Sequence, residues 1–479
     1  MTTQHRNYIN GKFIDAAGSN MIPVLNPSTE VVISEVPNSS AETVNDAIAA
    51  AKTAQKGWKK LPAIERANYM RQISAKIREN IPVLARTLTE EQGKVQTLSE
   101  IEIAFAADYI DYMAEWARRI EGEIINSDRP GENIFLFRQP IGVVAGILPW
   151  NFPFFLIARK LGPALVTGNS IVLKPSTDTP NTAAIFADLL DQTDMPKGIV
   201  NIVYGGGRTT GNAMCDNPDV GLVSFTGSVS VGSQIMAACA KNITKVNLEL
   251  GGKAPAIVMA DADIDKAVAA VTASRVINTG QACNCAERVY VDRRVEDEFI
   301  AKFTVAMEET KYGDPGVTRD LDMGPMINRA AQKTTHDMVQ RAIKEGADLV
   351  SGGNVTDVDG KGFFYPPTVL RNCDQSSEIM QEEVFGPVMP INSFDSLDEA
   401  IDRANDSKYG LTSSIYTNDI GAAMRACNEL NFGETYINRE HFEAMQGFHA
   451  GVRQSGIGGA DGKHGLYENT ETHVVYLQN

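Results

Sequence analysis

Two short stretches of this chain carry groups capable of covalent chemistry. Glu249-Leu250-Gly251-Gly252-Lys253 supplies a carboxylate, and Gly280-Gln281-Ala282-Cys283-Asn284-Cys285 supplies a thiol. A cysteine nucleophile of the protease type is deprotonated by a histidine, yet His5, His336, His441, His449, His464 and His473 all stand far from Cys283 along the chain. The pairing points instead to a thiol that attacks an electrophile and a carboxylate that later activates water. Each residue also has a plainer reading. A lone cysteine is more often a small buried hydrophobe, and a carboxylate at a strand end is commonly solvated. Cys285 raises a metal or redox reading, but a C-x-C pair without further Cys or His at ligand spacing is a poor zinc site. Cys285 therefore reads as structural, and no metal is expected. Pro149-Trp150-Asn151-Phe152-Pro153 adds a third candidate. Two prolines fix the backbone around an Asn whose amide can donate to a developing oxyanion, or they form a rigid turn around a packed Trp.

Positioning such groups takes a large scaffold, and 479 residues exceed one ordinary hydrophobic core. Hydrophobic residues at 43% and charged residues at 22% match a soluble globular protein. The net charge of −16 opposes nucleic acid or an anionic membrane as partner, since both need a basic face. No stretch approaches the ~18 apolar residues of a spanning helix. The cysteines at 215, 239, 283, 285, 373 and 427 form no dense disulfide framework and read as reduced thiols. These features lead to the expectation of a cytoplasmic protein acting on a small molecule.

From Ala41 to Arg119 apolar positions recur at spacings of three and four, which predicts a series of amphipathic helices. Asp128-Arg129-Pro130-Gly131-Glu132, flanked by apolar runs, predicts a hairpin. After Pro140, β-branched runs at 141–148, 170–173, 199–203, 220–225 and 246–250 alternate with helical stretches at 181–191 and 231–240. That alternation predicts a parallel sheet with crossover helices, which binds nucleotides at the carboxyl ends of its strands. A second α/β lobe is expected from about residue 252 to 450. The two chemical motifs straddle that boundary, so the cleft between the lobes would hold the chemistry. The tail from Glu471 to Gln478 has strand character and needs a cover.

Pro149 to Pro153, Lys174-Pro175-Ser176, Phe225-Thr226-Gly227-Ser228, Glu249 to Lys253, Gly280 to Cys283 and Glu383-Val384-Phe385-Gly386-Pro387-Val388 occur in this order. The series resembles the NAD(P)-dependent aldehyde dehydrogenase superfamily over essentially the whole chain. The segment Asn438 to His449 is similar to the lactaldehyde and glycolaldehyde dehydrogenase branch. The resemblance implies an α/β fold with a Rossmann-type cofactor domain (1–120 and 141–251), a second α/β catalytic domain (252–453) and a small β oligomerisation element (121–140 and 466–479), hence a dimer or tetramer. It implies Cys283 as nucleophile, Asn151 with the Cys283 N–H as oxyanion hole, and Glu249 as the base that hydrolyses a thioester. Burial should then raise the Glu249 pKa.

For NAD or NADP, the resemblance implies contacts from Leu148, Trp150, Lys174, Ser176, Thr177, Gly227, Ser228, Gly232, Glu383 and Phe385. Gly207 and Asn212 would lie near the adenine, although the Gly205-Gly206-Gly207 loop is also readable as a plain turn. Many NAD-preferring relatives carry Glu where this chain has Thr177, so the charge barrier against a 2′-phosphate is missing there, with Asp178 next in line to restore some repulsion. For a small hydroxylated aldehyde, the candidate contacts are Arg159, Asn284, Glu443 and His449. Arg159 is equally readable as a salt bridge on a helix face. Three other readings stand open: a semialdehyde or other aldehyde dehydrogenase of the same superfamily, including a CoA-acylating type, which would need no water-activating base; a non-catalytic scaffold; and a thiol hydrolase, which lacks a nearby histidine in sequence.

Overall fold

The computed structural model describes residues 2–15 and 20–479. The β-branched runs after Pro140 become the centre of an eight-stranded sheet. Its parallel strands run in the order Lys245–Glu249, Val220–Thr226, Val143–Ile147, Ser170–Lys174 and Val200–Ile202. Helices cover both faces, so Val143–Ile147 and Ser170–Lys174 are buried along their whole length. Leu250 to Lys253 then hands the chain to a seven-stranded sheet beginning at Ala254–Val258, with Ala286–Asp292, Val388–Phe394, Thr368–Arg371, Thr412–Tyr416 and Glu434–Ile437 parallel to it. Asp348–Ser351 closes one edge in antiparallel pairing.

The predicted helical region forms Ala41–Trp58, Ala63–Glu79, Ile81–Gln92 and Gln96–Glu115. Gly93 separates the last two at φ +85, where a side chain would be strained and a Cβ would meet the rings of Pro325 and Pro27 at 2.6 and 2.8 Å. The predicted hairpin is Glu123–Asn126 with Glu132–Pro140, and the terminal strand Thr470–Gln478 pairs along the full length of the latter. This small sheet leaves Ile124 and Tyr476 exposed at 76% and 65%.

The first forty residues hold strands that periodicity did not announce. Asn7–Ile9 and Lys12–Ile14 extend the first sheet around a turn at Asn10-Gly11, both at positive φ. An Asn-Gly pair between short apolar runs is the hairpin signal present there. At the opposite edge Gly456–Ile457 returns to pair with Lys245–Glu249, so the end of the chain covers the strand that carries Glu249. No helix among the described residues is long and apolar enough to cross a membrane.

Candidate active site

Cys283 sits on a loop whose backbone is forced into shape. After the helix Ile264–Val276, Asn278 and Thr279 adopt φ +48 and +60, and Gly280 φ +72. Left-handed non-glycine residues in succession are costly and persist only where surroundings over-determine them. Here Gln281 pins the loop, its Nε2 donating to the Asn278 carbonyl (3.0 Å) and its Oε1 accepting from the Ile327 N–H (2.9 Å). Gly280 has no room for a side chain, since a Cβ would lie 2.3 Å from the Gly386 carbonyl oxygen. The thiol is thereby held half-buried in the wall of a cavity between the two sheets, with Asn151 and Glu249 in the same wall.

Asn151 donates from Nδ2 to the Gln281 carbonyl at 3.1 Å, which leaves its second amide hydrogen uncommitted. Its backbone carbonyl accepts from Lys94 Nζ (2.8 Å) and Asn278 Nδ2 (3.0 Å). Lys94 is paired with Glu102, both fully buried, and Glu102 accepts the N–H groups of Phe154 (2.9 Å) and Phe155 (3.1 Å) at the start of the helix Pro153–Val166. Three elements thus lock Asn151.

Glu249 ends its strand buried, and neither carboxylate oxygen has a hydrogen-bond partner among the described residues. Burial raises its pKa, the direction predicted, against the opposing charges of His449, Arg159 and Lys160. His449 Nε2 lies 3.3 Å from Glu249 Oε2, within ion-pair reach but outside hydrogen-bond geometry. Here the structure corrects the expectation that the thiol has no histidine nearby. The antiparallel bridge of His449 with Ala460 folds the ring back over the site, Nδ1 meets Glu434 Oε1 at 2.5 Å, and the Cys283 thiol is a hydrogen-bond neighbour. Burial and Arg159 work against a charged imidazole; Glu249, Glu443 and Cys283 outweigh them and hold His449 well above its ordinary pKa.

Arg159 is not a surface salt bridge. It is buried, bridges Asp461 and Glu443 (3.2 Å to the latter), and still lines the cavity. Asn284 donates from Nδ2 to the other oxygen of Glu443 at 2.5 Å. Cys285 is buried, and burial pushes its thiol up to about 12, as suits a structural residue.

A second cleft, of about 1000 Å³, opens from the same Cys283 and Glu249 along the ends of the first sheet, lined by Leu148, Trp150, Ser176, Gly227, Ser228, Glu383 and Phe385. Trp150 and Phe385 meet edge to face at 5.4 Å. Burial, with the charge of Glu287 adding to it, pushes Glu383 up to about 8, and its Oε1 accepts from the Gly252 N–H at 2.8 Å. Ser228 caps the helix Val229–Cys239, whose first-turn N–H groups suit a phosphate. A dinucleotide therefore fits this cleft. Five candidates stand outside its lining. Lys174 Nζ donates to the carbonyls of Pro175 and Gly205 (both 3.0 Å), with burial lowering its pKa to about 8. Gly232 is packed against Leu250, 2.6 Å from where a Cβ would stand. Thr177 is half-buried, while Gly207 and Asn212 are exposed around the π-helical turn Gly207–Gly211.

Several residues of the site were not found from sequence. Lys160 is buried, donates to Ser224 Oγ and Thr226 Oγ1 (both 3.1 Å), and burial lowers its pKa to about 7. The available signal was two adjacent cations, Arg159 and Lys160, in the otherwise apolar helix Pro153–Val166, every residue of which is buried. Glu434, His441 and the Lys94–Glu102 pair were missed as well.

A profile of the "Aldehyde dehydrogenase family" matches residues 13–475. The chain belongs to that family. It is 58% identical to lactaldehyde dehydrogenase of Escherichia coli (strain K12) over 99% of both chains. The crystal structure of that lactaldehyde dehydrogenase superposes with a TM-score of 0.99 over 100% of both chains. It is 38% identical to the D-glyceraldehyde dehydrogenase (NADP(+)) of Picrophilus torridus over 98% of this chain and 95% of the relative. The α/β fold expected from the motif series is therefore that of the family, and the chain is an oxidoreductase acting on an aldehyde.

Proposed function

We propose that this enzyme oxidises small 2-hydroxyaldehydes, lactaldehyde and glycolaldehyde foremost, to the hydroxy acids with NAD or NADP. The observation that carries the substrate class is the polar wall formed by Arg159, Asn284 and Glu443 beside Cys283, in a cavity otherwise lined by Phe152, Phe155 and Phe442. The identity to a lactaldehyde dehydrogenase supports it.

In this reading the Cys283 thiolate adds to the aldehyde carbon, the carbonyl π pair moves to oxygen, and the alkoxide is held by Asn151 Nδ2 and the Cys283 N–H. A bound nicotinamide would supply the acceptor for the hydride that leaves the former aldehyde carbon as the alkoxide re-forms C=O, which would leave a thioester on Cys283. Leu148, Trp150, Glu383 and Phe385 would hold the nicotinamide end, and Gly227 with Ser228 the pyrophosphate, from the 1–120 and 141–251 domain. Glu249 then takes a proton from water, whose oxygen attacks the thioester carbon; the carbon–sulfur bond breaks and releases the acid and the thiolate. Glu249, buried and unpartnered beside the thiol, favours this route over CoA acylation. The small sheet of 121–140 and 466–479, with Ile124, Phe137 and Tyr476 exposed, would join subunits into a dimer or tetramer. Reduction of NAD should be fastest, by kcat/KM, with lactaldehyde and glycolaldehyde in a panel that includes glyceraldehyde, succinic semialdehyde and hexanal. A preference for either of the last two would sink the reading.

NADP use rests on Thr177 and on how Asp178 is held. The Asp178 carboxylate accepts from Ser176 Oγ (3.4 Å) and Asn328 Nδ2 (3.3 Å), so its acceptor positions are turned to protein donors and not left free for the two ribose hydroxyls as those of a Glu at 177 would be. Wild-type enzyme should therefore reduce NADP as well as NAD, and Thr177→Glu should cut kcat/KM for NADP by about 10- to 100-fold while sparing NAD. The two cofactors compared in both proteins check this, and an overwhelming NAD preference in the wild type would refute it.

A further inference from the structure

We infer that His441 is a specificity-determining acceptor, its Nε2 reading a hydroxyl of the substrate. The inference rests on the proposed aldehyde-oxidising site and adds a residue to it. His441 lies in the wall of the cavity that holds Cys283, buried, with its ring stacked at 5.2 Å on Tyr436. Nδ1 lies 2.8 Å from the Asn284 carbonyl oxygen. A carbonyl only accepts, so Nδ1 must carry the proton, and the neutral ring then has Nε2 as a lone-pair acceptor. Thr412 Oγ1 donates to the same carbonyl (3.0 Å) and stands 3.3 Å from Nδ1, consistent with that tautomer. Burial lowers the His441 pKa to about 4, so the ring stays neutral at any working pH.

Nε2 has no hydrogen-bond partner among the described residues. Arg159 is bonded to Asp461 and Glu443, and Asn284 to Glu443, so these three shape the polar wall together, whereas Nε2 of His441 adds an acceptor bonded to none of them. Of the unpartnered polar atoms in the cavity wall, the remaining two are the oxygens of Glu249, which the mechanism gives to water. A buried acceptor left unpaired penalises any occupant that cannot donate, and a hydroxyl removes the penalty. The Nδ1 bond ties the ring to the residue that follows Cys283, so the hydroxyl it reads is near the carbonyl, on the second or third carbon of a short chain.

The two amide residues separate the ring's two nitrogens. In His441→Asn the amide nitrogen can replace Nδ1 toward Asn284 while nothing replaces Nε2; in His441→Gln the amide oxygen can replace Nε2. The readout is the ratio of kcat/KM for glycolaldehyde to that for acetaldehyde, which is independent of the fraction of active protein. Wild type should favour glycolaldehyde by at least about tenfold. His441→Asn should lose about tenfold or more of that ratio, and His441→Gln should keep most of it. A ratio unchanged in His441→Asn overturns the inference. Where the variants fail to fold, wild type decides alone, since an acetaldehyde kcat/KM equal to that of glycolaldehyde overturns it equally. Absence of NAD(P)-linked oxidation of every aldehyde would instead be a failure of the proposed function.

Discussion

Glu249→Gln is expected to form reduced cofactor once per Cys283 and then nearly stop. The substitution conserves volume and hydrogen-bonding shape, so the cavity should fold around it. It removes the carboxylate assigned to take a proton from water, which is buried in the same wall as Cys283 and has no hydrogen-bond partner among the described residues. Thioester formation needs none of this, whereas deacylation does. General base catalysis contributes about 10²- to 10⁴-fold, so steady-state kcat should fall by that order while the burst persists. Rapid-mixing absorbance at 340 nm reads both phases. Cys283→Ala should abolish the burst as well, and normal turnover by Glu249→Gln would exclude the assigned base.

The pH dependence follows with a definite sign. The working form of Glu249 is the carboxylate, and burial raises its pKa above the ordinary carboxylate range. In wild type kcat should therefore decline as pH falls through that raised value, and Glu249→Gln should lack this acid limb.

Much of the scaffold was legible because its signals are local. A short β-branched run such as Ser170–Lys174 between turn signals reads as a strand buried on both faces, and apolar residues recurring at three and four, Ile73 and Ile77 among them, read as a helix stripe. Cys283, Glu249 and Asn151 were legible as chemical types held by prolines and glycines. What failed was distance through the fold. His449 was named as a substrate contact, but it stands 166 positions from Cys283, and its place beside the thiol follows only from the return that bridges it to Ala460. Glu102 was not singled out, although Ser99, Glu102, Ala106, Tyr109 and Met113 make one buried stripe at spacings of three and four. A charge on an apolar stripe demands a buried partner, which Lys94 provides. The strands before residue 40 escaped because two or three residues carry no period.

Glu287→Ala should be the most destabilising single change. The carboxylate is buried and accepts from Lys253 Nζ (2.8 Å), Arg275 Nη1 (2.7 Å) and the N–H groups of Val384 (3.0 Å) and Phe385 (3.3 Å). Its removal leaves two buried cations without a counter-charge, which costs about 3–5 kcal/mol. With roughly 2–4 °C per kcal/mol for a domain of this size, the melting temperature should fall by about 10 °C. Burial works against the ionised form of Glu287, but Lys253 and Arg275 hold its pKa below the ordinary value. A depressed folded-state pKa gives stability that is present above the unfolded-state value, about 4.3, and is lost as pH falls through the folded one. The stability gap between wild type and Glu287→Gln should accordingly be full at pH 7 and shrink below about pH 4. The same two N–H bonds carry the loop that presents Glu383 and Phe385 to the second cleft. In Glu287→Gln the KM for NAD should therefore rise more than the KM for aldehyde, whereas a change confined to core stability would leave the two in proportion.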